Sequence, residues 1–133
     1  MSDKQPCMFL YVVLFAISYF AILAIVGYIL LAAGCHPPSG LNTIFLIFAV
    51  SIVAFRFARK FGRPFSRSEY FKVLIGSVAF DVAVQFGVAI AIFGVAAFSG
   101  KWGAIVFVLF CHAGLLAVGY SSRIVRRYVR ITT

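Results

Sequence analysis

Asp81, Gln85 and His112 are the side chains of this chain best suited to chemistry. Asp81 and Gln85 are four residues apart, which puts them on one helical face a turn from each other. His112 stands in the next apolar stretch. A carboxylate, an amide and an imidazole among apolar residues are the parts of a proton-sensitive relay or small-ion pathway, because an acid placed there must face protein or water. The same groups also serve as an interhelical hydrogen-bond cluster that fixes register, at about 0.6 kcal/mol per contact. If the chain turns at Ser99-Gly100-Lys101, Gln85 is 13 residues from Phe98 and His112 is 10 from Trp102. That separates them by about 4–5 Å in depth at 1.5 Å per residue. Asp81 is one turn deeper, so contact with Gln85 is the easier one for His112.

Catalytic signatures are missing from the sequence: no zinc helix motif, no Gly-x-Ser-x-Gly, no phosphate loop and no carboxylate pair. An enzyme is therefore not expected, and neither is a cofactor. Cys7, Cys35 and Cys111 fall at the start of one apolar run, in a loop and inside another run, so a disulfide or a metal site is not expected either. Leu31-Ala32-Ala33-Gly34-Cys35 has the small residues of a bacterial lipoprotein signal. The simpler reading is a helix end followed by a loop cysteine.

The elements that must position the three polar residues follow from composition. The chain is 64% hydrophobic and 11% charged, against about 45–50% and about 25% in a soluble domain. Four stretches approach the roughly 20 residues needed to cross a bilayer. They run from about 7 to 33, 41 to 61, 70 to 98 and 102 to 120, followed by a basic tail at 121–133. Pro37, Pro38 and the flanking glycines break the first connection, and Gly62 with Pro64 ends the second helix. Ser66 with Glu69 three residues on reads as a capping box opening the third near Arg67. The expectation is a single all-α integral membrane domain, a four-helix bundle.

Twelve Lys and Arg against three acids give a net charge of +9. Nucleic acid is not the expected partner, because the apolar runs leave no soluble face for a groove. If the spans alternate, eleven of the cations fall on one side and Lys101 alone on the other. By the positive-inside rule that side, with both ends of the chain, is cytoplasmic, and Trp102 and Tyr120 stand where aromatic anchors occur. Arg56, Arg59, Lys60 and Arg63 repeat at i, i+3, i+4 and i+7; Arg123, Arg126, Arg127 and Arg130 repeat the pattern 67 residues later. Each set forms a cationic helical face suited to anionic lipid headgroups or to a partner. The shared offset is also what duplication of a helical hairpin would leave. Gly76, Gly87 with Ala91, Gly103, Gly114 and Gly119 are candidate close-contact positions, within the bundle or in a homo-oligomer.

The string NTIFLIFAVSIVAFRFARKFGRPFSRSEYFKVL, beginning at Asn42, resembles the second span, inner loop and third-span start of a family of small, uncharacterised four-helix bacterial inner-membrane proteins. The matching positions are Asn42, Phe57, Gly62, Arg63, Pro64, Ser66 and Glu69, about a quarter of the chain. Phe65-Ser66 departs from the pattern, in which a Pro precedes the Ser or Thr. The resemblance implies a helical inner-membrane protein and brings no assigned reaction. Small drug exporters also have four spans, but the embedded Glu of their first helix has no counterpart here. Two functions are therefore expected to compete: a noncatalytic partner-binding, accessory or toxin-immunity protein, and an oligomeric small-ion or solute transporter or channel built on the Asp81 stripe.

Overall fold

A computed structural model describes residues 6–35, 41–93 and 102–132. Lys4, Ser39, Lys101, the Pro37-Pro38 break, the Ser99 turn and the side chains of Ala91 and Trp102 lie outside what it describes. Among the described residues the fold is all helical: α1 (Met8–Ala32), α2 (Leu41–Phe61), α3 (Arg67–Phe93), α4 (Trp102–Gly119) and α5 (Ser122–Thr132). Helices α1, α2 and α3 are each long and apolar enough to cross a membrane, and α4 qualifies jointly with α5 across a bend of 42°. The basic tail expected at 121–133 is thus a helix in its own right over Ser122–Thr132.

Local chemistry sets the helix ends. After Ala32 the chain turns through Gly34 at φ +65°. The Cys35 and Gly34 amides then return to the Leu30 and Leu31 carbonyls, the bond pair of a Schellman cap. Gly62 at φ +61° ends α2 and donates to Ala58 O at 2.8 Å. A residue with a Cβ would be strained there. At the start of α3, the Ser66 amide donates to Glu69 Oε2 at 2.7 Å and the Glu69 amide to Ser66 Oγ at 3.4 Å. That is the reciprocal geometry of a capping box. The Ser121 carbonyl opens α5 by accepting from the Ile124 and Val125 amides, both at 3.1 Å.

Packing follows the up-down order of the helices. Tyr11 meets Phe57 while Tyr19 meets Asn42, so α1 and α2 are antiparallel. Helices α2 and α4 run parallel: Thr43 meets His112, 69 residues on, and a Cβ at Gly119 would collide with Val50, the same distance back. A Cβ at Gly76 would likewise collide with Val12, so α1 and α3 close on each other there. Gly87, Gly103 and Gly114, in contrast, face open space. The core of α2 is a double row, Phe45-Leu46, Ala49-Val50, Val53-Ala54 and Phe57-Ala58, all buried. Two adjacent residues recurring every fourth position make a face wide enough to touch α1 on one side and α4 with α5 on the other. Outward, the bundle is apolar: Tyr28 and Phe110 are each 74% exposed and Leu31 79%. Soluble monomers rarely expose large apolar side chains in contiguous patches.

Candidate functional site

Asp81 on α3 and His112 on α4 are 2% and 6% exposed. The His112 Nδ1 stands 3.0 Å from Asp81 Oδ2. Gln85 Nε2 is 2.7 Å from that same Oδ2 and 2.7 Å from His112 Nδ1. All three residues singled out from the sequence therefore meet, and His112 reaches Asp81 as well as Gln85. On its far side the imidazole presents Nε2 to Thr43 Oγ1 of α2 at 3.5 Å. One residue before Thr43, the Asn42 side chain accepts from the Tyr19 hydroxyl of α1. The polar line thus crosses the bundle from α1 through α2 and α4 to α3.

Three mutually adjacent atoms cannot all be joined by ordinary hydrogen bonds. When His112 carries its proton on Nδ1 it donates to Asp81 Oδ2, and the Gln85 amide nitrogen then faces another donor. When Nδ1 is bare, its single lone pair accepts either from the Gln85 amide or, with a proton on the carboxyl, from Asp81 Oδ2, so one edge is again left open. The position of one proton therefore selects which edges are bonded. Asp81 Oδ1 is buried and accepts no hydrogen bond among the described residues.

A second polar contact lies one turn nearer the end where α2 meets α3. Ser77, four residues before Asp81, bonds Tyr120 at 2.9 Å between oxygens, and both side chains are fully buried. Tyr70 OH adds a bond to Ala117 O at 3.2 Å. Tyr120 is thus not the surface aromatic anchor expected from its place at a span boundary. The α2–α3 loop folds back so that Phe65 meets its ring edge-on at 5.9 Å, and the hydroxyl is spent on Ser77. Ser77 is not among the residues singled out from the sequence, although its four-residue spacing from Asp81 continues the Asp81-Gln85 stripe. For Tyr19 and Thr43 the sequence offered no comparable signal.

The cations divide into unequal groups. Arg56, Arg59 and Lys60 lie on an exposed face of α2. Arg63 leaves that face, because the left-handed turn at Gly62 ends the helix before it. Its guanidinium instead grips Glu69 with two bonds of 2.8 Å and lies over the Phe57 and Phe61 rings at 5.5 and 5.7 Å. Chiefly through that grip, with the Ser66 bonds adding to it, the Glu69 carboxyl is lowered from 4.5 to about 2. Arg123, Arg126, Arg127 and Arg130 share the exposed side of α5, opposite the fully buried Val125. Cys7, Cys35 and Cys111 are free and exposed, and no group of three potential metal ligands occurs among the described residues.

No protein family, curated protein or solved structure matches the chain.

Proposed function

We propose that this chain is a noncatalytic four-span protein of a bacterial inner membrane, with the α2–α3 loop and α5 in the cytoplasm, acting by binding other membrane components as an accessory or toxin-immunity protein does. The observation that carries the reading is how the buried polar groups are used. Tyr19 is spent on Asn42, Thr43 on His112, His112 and Gln85 on Asp81, and Ser77 on Tyr120, each pair across a seam or along one helix face. Such groups tie helices together. The outward surface offers apolar side chains over most of its height and cations at one end, the surface of a protein that works in the plane of the bilayer.

A second reading, a small-ion or solute transporter, draws on Asp81 Oδ1, which has no partner among the described residues, and on the proton-dependent bonding beside it. Two measurements test the pair. In a cysteine-free background, cysteines placed at Ser66 and Thr132 react with an impermeant label only after the cells are opened, and one at Ser39 reacts from outside. Labelling of position 66 in intact cells overturns the topology. Proteoliposomes carrying the wild-type chain show no proton or cation flux above empty vesicles. A flux that disappears in Asp81→Asn, with normal thermal stability, transfers the case to the transporter.

A further inference from the structure

We propose that the groove between α1 and α2, at the end where α2 gives way to the inner loop, binds one acidic phospholipid of the inner leaflet, its headgroup on Arg56, Arg59 and Lys60. The proposal rests on the membrane reading above and is independent of the role of Asp81. The groove encloses about 610 Å³, within the roughly 300–1,000 Å³ of small-molecule sites. Two stripes of like spacing face each other across it. On α1, Leu10, Val13, Leu14 and Ile17 follow i, i+3, i+4, i+7; on α2, Arg56, Arg59 and Lys60 follow i, i+3, i+4. Each spacing draws one line down one helix face.

The apolar stripe extends along about 10 Å of α1, measured from Leu10 to Ile17 at 1.5 Å per residue. That is a track for an acyl chain, open at the side, where Leu10 and Ile17 are 56% and 61% exposed. Arg56 is five residues, about 7.5 Å of helix, inside the last residue of α2. It therefore stands deeper than Lys60, and the two bracket the depth of a phosphodiester and its glycerol.

Charge decides the kind of lipid. The sequence holds three acids. Asp3 lies outside the described residues, Glu69 is taken by Arg63, and Asp81 lies buried beside His112. No carboxylate among the described residues neutralises Arg56, Arg59 or Lys60. A second copy of this chain, itself at +9, brings the same excess of cations to the groove. A zwitterionic lipid brings its own ammonium. An acidic lipid supplies both the missing charge and the hydrocarbon.

The test uses the intact protein purified in a neutral detergent, with native mass spectrometry and thermal unfolding as readouts against phosphatidylcholine, phosphatidylglycerol and cardiolipin. Wild type retains the acidic lipids in preference to phosphatidylcholine, and its unfolding temperature rises with them. Arg56→Gln/Arg59→Gln/Lys60→Gln weakens that binding on the order of a hundredfold, taking three headgroup contacts. Leu14→Trp fills the track, leaves every cation in place and also weakens binding, which keeps the test available if the triple variant does not fold. Arg123→Gln/Arg126→Gln/Arg127→Gln on α5 binds as wild type. The proposal is overturned if the α2 variants bind like wild type, if the α5 variant loses as much, or if inorganic phosphate raises the unfolding temperature as the lipids do. If the membrane reading itself fails, alkaline carbonate releases the protein from membranes, a result separate from any of these.

Discussion

The imidazole Nδ1 of His112 lies 3.0 Å from Asp81 Oδ2, joining α3 to α4 at a depth where neither side chain meets solvent. Among the described residues the carboxyl accepts at Oδ2 alone, so its amide analogue retains the acceptor that the contact uses. Asp81→Asn is therefore expected to hold or raise the thermal unfolding temperature in detergent, since it removes the cost of a buried charge, at least about 2.5–3.5 kcal/mol on insertion scales. Asp81→Ala strips Gln85 and His112 of their shared acceptor and is expected to lose about 1–3 kcal/mol. Equal stability for Ala and Asn would mean that the cluster bonds contribute nothing to the fold.

The Arg63–Glu69 clasp in the α2–α3 loop has a pH signature. The folded Glu69 carboxyl titrates near 2, below its ordinary 4.5. The depressed value means that its stabilisation is present above about 4.5 and is lost as pH falls from there through 2. Glu69→Gln should therefore lie below wild type in unfolding temperature at neutral pH, with the gap closing as both are titrated down through that window. A gap that stays constant with pH would remove Arg63–Glu69 as its source.

Tyr120→Phe keeps the ring against Phe65 and removes only the oxygen that meets Ser77. A loss of about 1 kcal/mol is expected, against about 3–5 kcal/mol for Tyr120→Ala, which empties a core site. Chemical denaturation of the two variants separates the terms. If Phe costs as much as Ala, the hydroxyl and not the packing dominates.

Val125 is the buried residue by which α5 leans on the bundle. Val125→Asp is expected to free α5 while leaving α4 in place, because a carboxylate cannot stay in that apolar seat. Limited trypsin digestion reads the change: cleavage at Arg123, Arg126 and Arg127 accelerates, and the rest of the protein stays intact. Unchanged cleavage would mean that α5 is held by something other than this contact.

What could be read from the sequence, and what could not, follows the range of each interaction. Ser66 and Glu69, three residues apart, announce a helix start because a cap is made within one turn. Asp81 and Gln85 share a face by helix geometry alone, and a depth count brings His112 near them. Thr43 and Tyr19 join that cluster through the vertical offset of α2 against its neighbours, which tertiary packing sets and local spacing does not encode. Arg63 illustrates the opposite failure. Its spacing from Lys60 continues a helical face, but the positive φ at Gly62 removes it from the helix. The bend after Gly119 has no proline to mark it, and the basic pattern beyond reads equally as a continuing helix or a new one.

The collision that a Cβ at Gly119 would make with Val50 has a consequence for how this sequence can drift. The two positions share one small volume, so the order of substitution matters. Val50→Ala first opens space that Gly119→Ala then fills, and each step leaves the helices together. The reverse order wedges α2 from α4 at once and disturbs the register that sets Thr43 beside His112. The seam therefore admits an exchange of bulk in one direction of travel, and its history should show the smaller residue arriving before the larger.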